Sequence, residues 1–248
     1  MQFKFDLGGN YTNPARTDGF GAQLQSLIYT SIFCDFIHAK YYYSPINVQE
    51  HNYENNEKYN QILNHFLGLD SIQIIEKNNE PIHPLPNYVT YPVVESLIEN
   101  FNTNNVIKLI RNNILNHHQN PKVIVPGKKI IAIHIRRKLQ DDTQGPEYYT
   151  NLKYYESVVE KISRKLPLGG FQIVICSTGE PSDFEIFKKF KPTLFLNESI
   201  TQTFSILVNA DILVMSKSSF SYSAALLSSG FIVYQKFWHR KNKKWHTI

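Results

Sequence analysis

Lys129-Ile130-Ile131-Ala132-Ile133-His134-Ile135-Arg136-Arg137 is an apolar run, mostly β-branched, that ends abruptly in cations. It stands behind Pro126-Gly127, and its lack of polar alternation is the pattern of a strand buried on both faces of a parallel sheet. In open α/β sheets, ligands sit outside the carboxyl ends of the strands. His134, Arg136 and Arg137 therefore fall where a ligand is met. Forked guanidinium donors suit the oxygens of a phosphate or diphosphate. A strand that merely ends in solvated arginines is the plainer reading of an isolated Arg-Arg pair, and a second segment near residue 218 tells against it.

Around this stretch the chain alternates regularly. The patterns predict a strand over 130–135, a helix over 148–165 with Leu152, Tyr155, Val158, Val159 and Ile162 inward, and a strand over 171–176 leaving at Ser177-Thr178-Gly179-Glu180. A short helix over 183–190, a short strand over 193–196, a helix over 199–210, a strand over 211–215 and a helix over 221–229 follow. Strands and helices at this spacing indicate parallel βαβ units, a Rossmann-like domain. Met215-Ser216-Lys217-Ser218-Ser219-Phe220-Ser221 lies between the last of those strands and its helix. Hydroxyls and free N–H groups at a helix N-terminus make an anion cradle, although serine there is also an ordinary cap. Two strand exits of one sheet, one with paired arginines and one with a serine-rich helix start, together supply what a nucleotide diphosphate needs.

Before Pro121 to Lys128, where proline and glycine cluster, the patterning is less regular, and the boundary drawn there gives domains over 1–125 and 126–248. Gly19-Phe20-Gly21 leads into a helical pattern with Leu24, Leu27, Ile28 and Ile32 on one face. Such a turn leaves backbone N–H groups for an anion or a sugar hydroxyl, or simply redirects the chain. A short strand is expected over 38–43, a polar loop over 44–60, and a helix over 59–67 that stops at Gly68 with Ile62, Leu63 and Phe66 on one face. Residues 70–92 carry four prolines and no clear period, and 93–118 read as helix with a break at 102–105.

Composition narrows the class. Two cysteines, Cys34 and Cys176, give no disulfide framework and suit a reducing compartment, and no CxxC or HExxH pattern supports zinc. The N-terminus lacks the apolar core and cleavage site of a signal peptide, and no run reaches the roughly 18 apolar residues of a membrane span, so a cytoplasmic protein is expected. Much of the net charge of +5 lies between Lys236 and Lys244. This basic end is expected to be solvated, with peripheral contact to a membrane surface as a secondary role.

The residues also carry a resemblance. Ile131-Ala132-Ile133-His134-Ile135-Arg136-Arg137 resembles the HxRR motif of the α1,2-, α1,6- and peptide O-fucosyltransferase superfamily. Ser218-Ser219-Phe220-Ser221-Tyr222-Ser223-Ala224-Ala225 is similar to the later SSFS(W/Y)xxA motif of the α1,2 branch, and Gly19-Phe20-Gly21-Ala22-Gln23 to the family's GxGxQ opening. The likeness covers the C-terminal half well and the first 30 residues loosely. It departs after the arginines, where Lys138-Leu139-Gln140 replaces the usual Gly-Asp continuation, which leaves another nucleotide-linked deoxysugar open beside fucose.

The resemblance implies an α/β, GT-B-like architecture of two Rossmann-like domains with parallel sheets, the N-terminal one trimmed and irregular. It implies an inverting, metal-independent glycosyltransferase that needs no cofactor beyond its nucleotide-sugar donor, GDP-fucose, and that acts on a glycan hydroxyl and not on nucleic acid. Arg136 would stabilise the diphosphate leaving group, with Arg137 assisting it or orienting the loop. His134 would line the donor site; Ser218, Ser219 and Phe220 would hold diphosphate and sugar; Thr178 and Glu180 would reach guanine or ribose; Gly19 and Gly21 would open the donor-side turn. An inverting displacement wants a carboxylate to take the acceptor proton, and among Asp141, Asp142 and Glu147 the choice is Asp142. Two rivals stand beside this reading: a metal-dependent GT-A transferase using Asp141-Asp142, and a non-catalytic nucleic-acid binder using the basic segment around Phe237-Trp238-His239-Arg240.

Overall fold

The computed structural model describes residues 8–47, 58–69, 81–97, 104–117, 121, 123–138, 145–166 and 168–248. The chain is α/β and divides into two compact units, Met1–His117 and His118–Ile248, each built on a parallel sheet.

In the first unit, β1 (Asn10–Thr12) pairs in parallel with β2 (Lys40–Tyr42) on one side and β3 (His83–Pro84) on the other. The connection from β1 to β2 is α1 (Phe20–Phe36), which is buried on almost every side. A helix so placed must satisfy its polar side chains internally. Ser26 Oγ donates to Asn87 Oδ1 at 2.7 Å, Thr30 Oγ1 to Ser26 O at 2.9 Å, and Asn104 Nδ2 to Asp35 Oδ2 at 2.7 Å. Asn104 also accepts from Ile107 N at 3.0 Å, which caps α4 (Asn105–His117). α2 (Tyr59–Leu67) ends at Gly68, whose φ of +68° suits glycine and where a Cβ would collide with the Asn113 side chain of α4. Its buried stripe is Tyr59, Leu63, Phe66 and Leu67, spaced i, i+4, i+7 and i+8. Ile62 lies off that stripe and is 43% exposed, so the expectation that it faces inward fails. α3 (Asn87–Leu97) begins six residues before the helix expected at 93, with Pro86 O accepting from Val89 N and Thr90 N, and it contains Pro92.

The second unit holds a five-stranded parallel sheet of order β6-β5-β4-β7-β8. β4 (Lys129–His134) is central, and α5 (Leu152–Ser163) connects it to β5 (Phe171–Ser177). After a 3-10 segment over Pro181–Phe190 the chain reaches the edge strand β6 (Thr193–Leu196). α6 (Ile200–Asn209) then returns it to β7 (Ile212–Val214) on the other flank of β4. α7 (Ser219–Leu227) leads outward to β8 (Phe231–Val233). Tyr155, Val158, Val159 and Ile162 of α5 pack on Ile131, Ile133, Ile173 and Ile175, as the apolar spacing requires. Strand order therefore reverses between β4 and β7, the switch point at which doubly wound sheets bind ligands.

The basic C-terminal segment is folded on its aromatic side chains, while Lys236, Arg240, Lys241, Lys243 and Lys244 are exposed, as the solvated basic end expected from its charge requires. Tyr234 N donates to His246 O at 2.7 Å and His246 N to Ile232 O at 2.9 Å, which adds a bridge beyond β8. Trp245 is 6% exposed against Tyr222 (ring centroids 5.0 Å apart) and Tyr234 (6.2 Å). Its aromatic side chains, more than its cations, decide its path, because burying a large ring outweighs the cost of ordering a short polar segment. Trp245→Ala is expected to lower the unfolding free energy by about 3–5 kcal/mol in denaturant titrations. A loss below about 1 kcal/mol would mean that the segment is not part of the core.

Candidate functional site

The register of β4 on β7 pairs Ile131 with Ile212, Ala132 with Leu213 and Ile133 with Val214, so His134 and Met215 leave the sheet side by side. At that exit His134 Nδ1 lies 2.7 Å from Ser216 Oγ, and its ring centroid 5.3 Å from that of Phe220. Phe220 in turn meets Phe204 edge-on at 5.2 Å. Ser216 is buried, its N donates to Ser221 Oγ at 3.3 Å, and Ser221 Oγ donates back to the carbonyls of Ser216 and Ser218. Ser218 is the N-cap of α7, accepting from Phe220 N at 3.2 Å, and Ser219 opens the helix. The helix starts two residues earlier than expected at 221, which puts Ser218 and Ser219 at the positive end of its dipole.

The paired arginines diverge. Arg136 lies over the Tyr149 ring at 5.5 Å from its centroid. Arg137 forms an ion pair with Asp183 and lies 5.6 Å from the Phe184 ring centroid. Asp183 also accepts from Glu180 N at 2.8 Å, while the Glu180 side chain accepts from the backbone of Asp183. This reciprocal capping box starts the 3-10 segment. The Glu180 carboxylate, expected at guanine or ribose, is thus engaged in the cap. Thr178 is half-buried in the same turn, which Asn197 clamps through Gly179 N (2.9 Å) and Gly179 O (2.9 Å). Gly179 has φ +120°, and a Cβ there would collide with the Arg137 guanidinium and the Asp183 carboxylate. The close packing of this exit needs glycine.

Electrostatics follow from these contacts. Removal from water, with the Arg136 charge nearby, pushes His134 down to about 3, so its imidazole is neutral at physiological pH. The bond from Arg137, joined by that from Glu180 N, holds the Asp183 carboxyl below the usual range. Lys217, at the β7 exit, donates from Nζ to Glu147 O at 2.8 Å.

Of the residues singled out from sequence, the structure brings His134, Ser218, Ser219 and Phe220 together at the β4–β7 exit and Arg137, Thr178 and Glu180 together at the β5 exit. Gly19 and Gly21 belong to the first unit, where Gly19 is the N-cap of α1 and its carbonyl accepts from Ala22 N and Gln23 N. Asp141 and Asp142 lie outside the described residues. Sequence reasoning missed Ser216, Lys217, Tyr149 and Asp183. Ser216 and Lys217 sit inside a motif already quoted, and the Glu180-to-Asp183 spacing is that of a capping box; Tyr149 carries no local signal. Among the described residues, no three His, Cys, Asp or Glu side chains gather as metal ligands, and no helix is long and apolar enough to cross a membrane.

No protein-family model matches the chain, and no curated protein sequence matches it. Among solved structures, the chain is similar to fucosyltransferase NodZ from Bradyrhizobium, with 12% identity over 89% of this chain and 94% of that one and a TM-score of 0.44. It is similar to the E. coli heptosyltransferase WaaC with ADP-2-deoxy-2-fluoro heptose, with 11% identity over 98% and 93% and a TM-score of 0.47. A further match is Arabidopsis thaliana FUT1 in complex with GDP, with 10% identity over 93% and 72% and a TM-score of 0.43.

The neutral His134 has a measurable consequence. Its folded pKa is depressed below the unfolded value of about 6.5, so the unfolded chain binds the proton first as pH falls. The stability it permits is present above pH about 6.5 and declines as pH drops toward about 3, at up to roughly 1.4 kcal/mol per pH unit. His134→Gln is expected to remove one proton's worth of that slope in denaturant titrations at several pH values. An unchanged slope would show that His134 titrates normally in the folded protein.

Proposed function

We propose that the chain is an inverting, metal-independent glycosyltransferase of GT-B architecture that moves a sugar, fucose from GDP-fucose first among candidates, to a hydroxyl of a glycan. The observation that carries the reading is the contact of His134 Nδ1 with Ser216 Oγ at 2.7 Å. It joins the exit carrying the arginines to the one carrying the serine-rich helix start, at the point where strand order reverses.

In this reading the acceptor oxygen attacks the anomeric carbon from the face opposite the diphosphate. The bond from that carbon to the diphosphate oxygen breaks, and its electron pair leaves with the nucleotide. Negative charge then grows on the diphosphate, and fixed cations and N–H dipoles must meet it. Arg136 supplies the cation, steadied by the Tyr149 ring, and the first turn of α7 with Ser218 and Ser219 supplies the dipole and hydroxyls. In the tautomer this reading requires, Ser216 donates to Nδ1 of the neutral His134, and Nε2–H is then the donor to the phosphate or sugar. Arg137 is a positioning residue, since its ion pair with Asp183 fixes the turn of Thr178 and Gly179 beside the nucleotide. The acceptor proton passes to a carboxylate between Arg136 and Tyr149, for which Asp142 is our choice.

Melting curves with GDP, UDP, ADP, dTDP and their sugar conjugates test the donor class, because a ligand that binds only the folded state raises the melting temperature. GDP and GDP-fucose are expected to give the largest upward shifts. Arg136→Ala should keep its own melting temperature, lose most of the nucleotide-induced shift and lower turnover by about a hundredfold or more. Near-normal turnover in that folded variant, or no shift with any nucleotide, would reject the assignment.

A further inference from the structure

From Ile212 to Ile248 the chain carries six Lys or Arg and no Asp or Glu, and five of those six lie between Lys236 and Lys244. Within that stretch the backbone is pinned. Tyr222 Oη donates to Arg240 O at 2.9 Å, Tyr234 Oη to His239 O at 2.5 Å, and His239 is 6% exposed. Immediately before these anchors Trp238 is turned outward, 46% exposed, with Tyr148 5.1 Å and Phe237 4.7 Å from it between ring centroids. Lys236 and Arg240, both exposed, flank it two residues away on either side.

The indole is thus presented to solvent on a loop whose backbone is held in place. Its position relates it to the β4 exit. Tyr148, its ring neighbour, precedes Tyr149, whose ring lies under Arg136. Thr150 Oγ1 donates to Gln235 Oε1 at 2.7 Å, so the segment after residue 145 and the segment after β8 are stitched together.

From this juxtaposition we infer that Trp238 and Tyr148, with Lys236 and Arg240 beside them, form a binding platform for an acidic oligosaccharide, one bearing carboxylate or phosphate groups. The electron-rich indole face attracts the weakly positive C–H face of a pyranose ring, and the flanking cations select substituents of negative charge. Because the loop is already ordered, little freedom is lost when the sugar docks. Exposed tryptophan, tyrosine and arginine are also the side chains that concentrate binding energy in recognition surfaces. The inference deepens the proposed function by giving its glycan acceptor a charge class, and it rests on that reading only for the word acceptor.

Calorimetric titration of the full chain with a hyaluronan tetrasaccharide and with neutral chitotetraose, at about 150 mM salt, measures the platform without any nucleotide. The acidic sugar is expected to bind about tenfold more tightly than the neutral one. Trp238→Ala and, separately, the surface pair Lys236→Ser with Arg240→Ser should each weaken it by about tenfold, with the melting temperature unchanged. Equal affinity for the two sugars, no binding of either, or full affinity in both variants overturns the inference. So does binding confined to phosphatidylglycerol vesicles or to an RNA oligonucleotide, which would make the patch a membrane or nucleic-acid surface. A GDP-induced melting shift recorded alongside keeps the two readings apart: its absence with sugar binding intact defeats the donor assignment alone, and its presence without sugar binding defeats the platform alone.

Discussion

The side-by-side exit of β4 and β7 is the constraint on which the rest of the second unit depends. The chain leaves β4 toward β5 and β6 on one flank and later returns to β7 and β8 on the other. Connections that depart in opposite directions leave the carboxyl ends of the two central strands uncovered by either crossover. Whatever side chains follow those strands must satisfy one another or a ligand. The bond between His134 and Ser216 is what the two exits make of that position, and the ladder of Ser216, Ser218 and Ser221 holds the start of α7 against it.

Among the cations that follow the exits of β4 and β7, Arg136, Arg137 and Lys217 make contacts that differ in kind. Arg137 is neutralised by the carboxylate of Asp183, whereas Arg136 rests on an aromatic face and Lys217 on a backbone carbonyl. An aromatic quadrupole or a carbonyl steadies a cation without cancelling its charge. The Arg137 ion pair is architectural, tying the β4 exit to the turn after β5. Were His134 protonated as well, it would add a like charge beside Arg136 in a poorly solvated place. Removal from water first, and the Arg136 charge second, keep the imidazole neutral.

The parts of the fold legible in sequence were those with long, one-signed patterns. The apolar runs of β4 and β5 could only be doubly buried strands, and the stripe of Tyr155, Val158, Val159 and Ile162 could only be one face of a helix. β1, β3 and β8 span two or three residues each and were missed, whereas β2 and β7, equally short, fall within the expected stretches 38–43 and 211–215. α3 was hidden by Pro92, which reads locally as a stop. In the C-terminal segment counting lysines finds the exposed cations but not the anchoring, by which Tyr222, Tyr234 and Trp245 fix the backbone to the sheet edge. At the site, His134 and the serines belong to contiguous motifs, but the contacts of Arg136 with Tyr149 and of Thr150 with Gln235 join residues 13 and 85 positions apart, distances at which sequence gives no register.

Those long-range contacts share one destination. The short stretch from Gly145 to Thr150 is held by Lys217 from the β7 exit at Glu147, by Arg136 from the β4 exit at Tyr149, and by Gln235 from beyond β8 at Thr150. Three neighbouring strands thus fix one stretch through an ammonium–carbonyl bond, a cation–π contact and a neutral hydrogen bond. None of these is strong alone, but together they over-determine the backbone. A change at Gln235 or Lys217 therefore acts on Tyr149, and through it on Arg136, without touching either.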